Sequence, residues 1–310
     1  MSQAAEQQLS IVASHTSTAG YLFNPTSMHT NTNQWQQLQG KANAFRALHQ
    51  RSGIFVIPNP WDAGSAKMLT SLGFEALTTT SAGLANSLGR PDGEGLVSRQ
   101  ETLANAGAIA AVTHLPVAAD LENGFGDDPE TCAATILMAA EAGLAGGSIE
   151  DATGRADQPI YAFNLAVERV KAAVKAAESL PFSFTLTARA ENLIHGRDDL
   201  ADTIRRLQAF AEAGAPVLFA PGLKTEKDIV TVVKAMAPVP LSVVMGLSNT
   251  RFTLCQLEDM GVKRVSLGSS LARAAYGAFY RAAQEVRNQG SFGFAEDAIP
   301  YNALNSMFSA

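Results

Sequence analysis

Cysteine is nearly absent from this sequence: 310 residues carry only Cys132 and Cys255. Two such residues cannot form a disulfide framework and lack metal-ligand spacing, so both are expected to be helix-buried thiols in a reducing compartment. Long apolar runs are missing as well. None approaches the ~20 residues of a membrane span, and the first thirty residues lack the basic start and apolar block of a secretory leader. A cytoplasmic protein with no membrane partner is the expectation. Charge is sparse too, at 17% of residues with a net charge of -6 and no basic block, which argues against a nucleic-acid partner. Small anionic substrates stay open, because a few local arginines can decide their binding.

What is present is a regular alternation. Residues 1–35 are rich in Ser, Thr, Asn and Gln and read as a mobile extension. A short helix over Ala42–His49 then leads into β-prone apolar runs at Ile54–Asn59, Ala76–Ser81, Val117–Glu122, Gly147–Asp151, Phe184–Glu191, Val217–Gly222, Leu241–Gly246 and Arg264–Gly268. Segments with helical spacing lie between and after them, at Asp62–Leu72, Arg99–His114, Pro129–Ala142, Leu165–Ser179, Leu200–Ala213, Glu226–Met236, Thr250–Met260 and Ser270–Gln289. Several end at a glycine suited to a left-handed cap, namely Gly73, Gly143, Gly214 and Gly261. Eight strand–helix units predict a parallel (β/α)₈ barrel of the TIM type over residues 36–290, followed by a tail at 291–310. The competitor is an open doubly wound sheet. Against it, no Gly-x-Gly-x-x-Gly follows the first strand and no Walker-type Gly-Lys-Ser/Thr occurs.

In such a barrel the site lies at the C-terminal ends of the strands, so polar residues ending apolar strands are the candidates. Strand two ends in Thr80-Ser81-Ala82-Gly83, strand three supplies Asp120 and Glu122, strand four ends in Glu150-Asp151 and strand five in Arg189-Ala190-Glu191. Residues i and i+2 of a strand share a face, which would send Asp120 and Glu122 into one cavity. Three converging carboxylates, Asp120, Glu122 and Glu150, are hard oxygen donors suited to Mg²⁺, with Mn²⁺ as a substitute. Their alternative role is to cap helices or pair with lysines. Arg189 offers a planar fork for a substrate carboxylate, with a structural salt bridge to Glu150 or Glu191 as its rival role. The Thr80–Gly83 turn could present backbone N–H groups to an anionic oxygen.

The order of these motifs carries a resemblance. Asn59-Pro-Trp-Asp-Ala-Gly-Ser-Ala, Thr80-Ser-Ala-Gly-Leu-Ala-Asn-Ser-Leu-Gly-Arg-Pro-Asp92, Asp120-Leu-Glu-Asn-Gly-Phe-Gly, Ile149-Glu-Asp and Thr187-Ala-Arg-Ala-Glu191 follow one another as in the isocitrate lyase / phosphoenolpyruvate mutase superfamily. The resemblance covers roughly Phe45 to Ala278. It implies a Mg²⁺-dependent (β/α)₈ enzyme acting on a small 2-oxo or 2-hydroxy carboxylic acid through a metal-stabilised enolate. By the same resemblance Asp120, Glu122 and Glu150 correspond to the metal acids and Arg189 to the carboxylate-binding arginine. Thr80, Ser81 and Ala82 then correspond to the substrate-binding turn, and Asp92 to the acid of the gating segment. A homodimer or homotetramer that exchanges the last barrel helix, here around Ser270–Gln289, is also implied.

The sequence departs from that pattern in three places. The loop after strand four, Asp151–Tyr161, has neither the cysteine nor the histidine of the lyases' Lys-Cys-Gly-His-type segment, and Cys132 belongs to the helix after strand three. Glu122 stands where many members have Asp, and Pro221-Gly222 stands where some carry a histidine. Acid–base duty therefore falls to Arg155, Asp157, Tyr161 or His195, with Arg155, His195 and Arg189 the catalytic candidates; His195 has the titration range for proton transfer. Members lacking the cysteine include decarboxylases of oxaloacetate-like acids and phosphonate enzymes. The expectation is a C–C lyase or decarboxylase of an oxaloacetate-like acid. The alternatives are P–C chemistry of the phosphonopyruvate type and, in another class, a non-catalytic keto-acid-binding barrel.

Overall fold

A computed structural model describes residues 32–246 and 252–309. The elements, in chain order, are α1 (Thr32–Gln50), β1 (Phe55–Ile57), α2 (Ala63–Ser71), β2 (Leu77–Thr78), α3 (Ser81–Ser87), α4 (Arg99–Ala111), β3 (Val117–Asp120), α5 (Pro129–Glu141), β4 (Gly146–Glu150), α6 (Phe163–Glu178), β5 (Thr185–Arg189), α7 (Leu200–Glu212), β6 (Val217–Phe219), α8 (Glu226–Met236), β7 (Leu241–Val244), α9 (Leu254–Asp259), β8 (Arg264–Ser266), α10 (Ser270–Gln289) and α11 (Tyr301–Phe308).

All eight strands pair in parallel, β2 with β3 and onward to β8, and β8 pairs with β1. The Thr78 N–H donates to the Pro58 carbonyl across the remaining seam at 3.1 Å, so the barrel is nearly closed. The (β/α)₈ expectation holds, and with it the prediction that the strands are short apolar runs covered by helices.

Local chemistry explains where the helices start and stop. Asp62 with Ser65, Ser98 with Glu101 and Thr253 with Gln256 form reciprocal capping boxes, and Asp128 caps α5 ahead of Pro129. Gly73, Gly143, Gly214 and Gly261 all adopt positive φ just past a helix end, as their spacing predicted.

The main core cluster lies between the strands and the helix ring, with Phe45, Ile57, Leu77, Ile109, Leu121, Ile136, Leu144, Ile149 and Phe210 fully buried, and Leu84, Ala85 and Val97 form a small second cluster. Helix α1 covers the N-terminal end of the barrel. Its Phe45 ring abuts Gly146 at the start of β4, its His49 reaches Arg264 at the start of β8, and its Lys41 donates to the Ala110 and Thr113 carbonyls.

Several sequence readings change. Helix α1 runs 19 residues and begins at Thr32, inside the segment read as an extension; its polar Gln-rich first turns masked it. Residues 1–31 lie outside the described residues, as do 247–251 of the segment between β7 and α9. The Thr80–Gly83 turn is the N-terminus of α3, a seven-residue helix of small residues too short to show periodicity. Residues 291–309, read as an aperiodic tail, hold a 3₁₀ turn at Gly293–Glu296 and then α11, which packs on α2 with Lys67 Nζ donating to the Phe308 carbonyl at 2.6 Å. Cys132 is buried as expected, but Cys255 on α9 is exposed. No helix among the described residues is long and apolar enough to cross a membrane.

Candidate active site

Parallel register builds the site from neighbouring strand ends. Glu150 at the end of β4 lies beside Arg189 at the end of β5, and Asp120 ends β3 next to them. Arg189 is the hub. Its Nη1 bonds Asp120 Oδ1 at 2.9 Å, its Nη2 lies 3.1 Å from Glu150 Oε2, and its Nε bonds Glu191 Oε1 at 2.7 Å. The Phe219 ring sits 5.0 Å from the guanidinium carbon. Two of its five N–H groups are hydrogen-bonded and Nη2 is ion-paired with Glu150, so the guanidinium keeps donor capacity for another anion.

The acids are held in turn. Asp120 accepts the Ser81 and Glu122 backbone N–H groups at 3.2 and 3.3 Å, and its own N–H donates to the Thr79 hydroxyl. Glu191, almost fully buried, donates its N–H to Asp151 at 2.8 Å; Asp151 in turn pairs with Arg206 at 3.0 Å. Behind the strand ends, Asn59 bridges the Thr79 carbonyl and the Leu267 N–H, tying the ends of β1, β2 and β8 together.

Crowding shows in the titration behaviour. Burial, then the charges of Asp120 and Asp92, push Glu122 up to about 7. Burial raises Glu150 well above the carboxylate range; Arg189 pulls against it while Glu191, Asp120 and Glu122 add to it. Asp92 is raised by burial and by Asp120, although the Ser81 hydroxyl bonds its carboxylate. Arg189 is more firmly protonated than a free arginine, because Glu191, Glu150 and Asp120 outweigh the burial that opposes its charge.

The sequence-predicted residues divide into two groups. Asp92, Asp120, Glu122, Glu150, Ser81 and Arg189 come together at one mouth. Asp120 and Glu122 meet by a different route from the strand alternation expected: β3 stops at Asp120, and Glu122 turns into a left-handed backbone at φ 48°. Arg189 makes the salt bridges to Glu150 and Glu191 that were its rival role. Thr80 spends its hydroxyl capping α3 at Gly83 N–H, with Ala82 in the first turn behind it, so the turn is less open to an anion than expected. Arg155 stands apart from the cluster. It is exposed on the strand-four loop and grips Asp127 with Nη1 at 2.7 and 2.9 Å. His195 is exposed on the turn after β5. Cys132 cannot replace the missing loop cysteine, since burial drives its thiol up to about 11.

The donor chemistry fits a hard divalent cation. Asp120, Glu122 and Glu150 are oxygen donors crowded beyond what one guanidinium neutralises. No preformed cage exists among the described residues, where no three His, Cys, Asp or Glu side chains converge to grip a metal. That is compatible with Mg²⁺, which binds through one or two carboxylates and retains several waters.

Sequence reasoning missed Arg206, Arg169 and Asn59. The two arginines could have been found as charges on otherwise apolar helix stripes: Arg169 lies with Ala166, Val170 and Ala173, and Arg206 with Thr203, Leu207 and Phe210.

Comparison with known proteins gives a consistent pattern. The profile described as phosphoenolpyruvate phosphomutase matches residues 45–287. A probable 2-methylisocitrate lyase 2 of Corynebacterium glutamicum is 30% identical over 258 residues, covering 81% of this chain and 82% of that protein. A solved structure from Burkholderia cenocepacia J2315, provisionally assigned as a lyase/mutase, is 56% identical with a TM-score of 0.86, over 89% of this chain and 98% of that one. Oxaloacetate acetylhydrolase, solved with its product oxalate, is 26% identical with a TM-score of 0.80, over 88% of this chain and 94% of its own.

Proposed function

Because the chain belongs to the phosphoenolpyruvate phosphomutase family, within the isocitrate lyase / phosphoenolpyruvate mutase superfamily, we propose that it is a Mg²⁺-dependent carbon–carbon lyase acting on a small 2-oxo or 2-hydroxy dicarboxylic acid of the oxaloacetate type. The observation that carries this reading is Arg189 ringed by Asp120, Glu150 and Glu191 at adjacent strand ends, with Glu122 beside them.

Asp120, Glu122 and Glu150 would hold the cation, partly through waters, and Asp92 would add charge at its rim. When bound, the cation supplies Lewis-acid charge for an oxyanion. Arg189 directs its remaining donors to a substrate carboxylate, and Glu191, Asp120 and Phe219 fix the plane of its fork. Its charge favours a reaction in which negative charge grows next to that carboxylate. Ser81, hydrogen-bonded through N–H to Asp120, keeps that carboxylate turned into the mouth. Decarboxylation needs no base to start, which accommodates a site whose Arg155 is paired with Asp127 and whose Cys132 is inert. Arg155, bound to Asp127, is left a structural residue of the strand-four loop, and His195 on the strand-five loop is left as the side chain of the two that could return a proton to the product.

Assembly is part of the reading. Phe279, Tyr280, Phe292 and Tyr301 on α10 and the following segment are exposed, with Tyr301 80% accessible, which supports a homodimer or homotetramer built through this surface. A cytoplasmic setting accords with two unpaired cysteines.

Turnover of oxaloacetate, alkylmalates, 2-methylisocitrate and phosphonopyruvate should be measured with Mg²⁺, with Mn²⁺ and with EDTA. C–C cleavage that requires the metal and disappears in Asp120→Ala supports the proposal. Exclusive turnover of phosphonopyruvate would replace it by P–C chemistry, and binding of oxalate without turnover of any compound would replace it by a binding barrel. Light scattering that shows a stable monomer would remove the assembly.

A further inference from the structure

Among the described residues, the bulkiest fully buried side chain is charged. Arg169 on α6 is 1% exposed and has no ion-pair partner among the described residues. Its donors go to backbone carbonyls. Nη1 donates to Gly126 and Asp127, each at 2.6 Å, and Nη2 donates to Asn123, while Nε is buried with no partner. The guanidinium lies over the Tyr161 ring, 4.2 Å from its centroid.

All three carbonyls belong to one turn, which leads out of β3 and carries Glu122. That turn is held in costly backbone. Glu122 and Phe125 are the two non-glycine residues with positive φ among the described residues, at 48° and 63°. Other groups of the turn are tied down as well, the Glu122 carbonyl by the Glu150 N–H at 3.0 Å. Thr135 donates to the Gly124 carbonyl at 2.8 Å, and the Phe125 N–H donates to Asn123 Oδ1 at 2.9 Å. Asn123 Nδ2 donates to the Tyr161 hydroxyl at 3.2 Å, and that hydroxyl donates to Asp127 at 2.6 Å.

A buried cation with no carboxylate at ion-pair distance is expensive, and here the compensating hydrogen bonds all go to the backbone of this one turn. A planar fork can serve three carbonyls at once, whereas a lysine in its place presents a compact ammonium without the fork. Without the fork, three covered carbonyls lose their partner, and the turn gains by relaxing toward ordinary φ. Relaxation at Glu122 swings its carboxylate away from Asp120.

We propose that Arg169, seated on Tyr161, is a positioning residue that holds the left-handed turn at Glu122 and so sets that carboxylate at the cation corner of the site. The inference rests on the reading that Glu122 serves a divalent cation.

The test is Mn²⁺ titration followed by electron paramagnetic resonance of the free ion, on wild type, Arg169→Lys, Tyr161→Phe, Glu122→Gln and the double variant Arg169→Lys/Glu122→Gln. Ile229→Ala in the core face of α8 controls for general destabilisation. Arg169→Lys is expected to weaken Mn²⁺ binding about tenfold, Tyr161→Phe less, and Ile229→Ala not at all. In the Glu122→Gln background Arg169→Lys should add almost nothing. Hydrogen exchange at the Gly124 and Phe125 amides should speed up in Arg169→Lys even without metal, which keeps the inference testable where a variant binds poorly. Wild-type affinity in Arg169→Lys, or the same loss with and without Glu122, would overturn the inference alone. Wild type that binds no Mn²⁺ would overturn the cation reading and this inference together.

Discussion

Acid should destabilise this fold through one histidine at the far end of the barrel from the site. His49 Nδ1 lies 2.9 Å from the Phe45 carbonyl, and its Nε2 lies 3.3 Å from Arg264 Nη1. Arg264 has only N–H donors, so Nε2 must accept and Nδ1 must carry the proton. Burial, then the Arg264 charge, lowers His49 from near 6.5 to about 3. The unfolded chain takes up this proton as pH falls below 6.5, and the folded chain refuses it until about 3. The contribution of His49 is therefore complete above 6.5 and declines by about 1.4 kcal/mol per pH unit below it, or about 2 kcal/mol by pH 5. Glu122 and Asp151, raised to about 7 and about 6, act in the opposite sense, because the folded state holds their protons more tightly. The wild-type curve alone is thus a sum. Its difference from His49→Gln, which keeps an acceptor for Arg264 but does not titrate, isolates the effect. Urea unfolding followed by circular dichroism at pH 7.5, 6.5, 5.5 and 5.0 should show wild type losing about 2 kcal/mol relative to His49→Gln. Parallel curves would refute the reasoning.

Three further substitutions test the packing and the site. At Gly146 an added Cβ would fall 2.6 Å from the Thr185 carbonyl oxygen and 2.9 Å from the Phe45 ring, so Gly146→Ala should cost about 1–3 kcal/mol in chemical denaturation. Arg206→Met strands the buried Asp151 without its cation and should cost about 3–5 kcal/mol, with part of the loss restored by Asp151→Asn in the same chain. Arg189→Met removes the hub of the acid cluster and should lower kcat by roughly 10²–10³ in steady-state assays while Mg²⁺ still binds, since Arg189 donates rather than ligates.

The barrel was legible because its units share one plan: an apolar strand, in most cases a polar end, then a helix that in several units stops at glycine. The acids at Asp120 and Glu150 were legible for the same reason, since strand ends define the mouth. The local mechanism at Glu122 was not. Strand alternation predicts a shared face, whereas the contact arises from a left-handed turn whose support comes from Arg169, 47 residues later in the sequence. Arg155 misled for the complementary reason. Its position after strand four suggested the mouth, but Asp127 claims it, and no local pattern in the sequence pairs those two residues. Helix α3 escaped because Ser-Ala-Gly-Leu-Ala-Asn-Ser has almost no polar contrast for a period to show.

Isothermal titration of oxalate, an enolate mimic, tests the central claim most directly, with wild type and Asp120→Ala each measured in Mg²⁺ and in EDTA. Binding by wild type only when Mg²⁺ is present, and by Asp120→Ala under neither condition, is the predicted result. Equal binding of oxalate by wild type in EDTA and in Mg²⁺ would contradict a cation held at Asp120, Glu122 and Glu150.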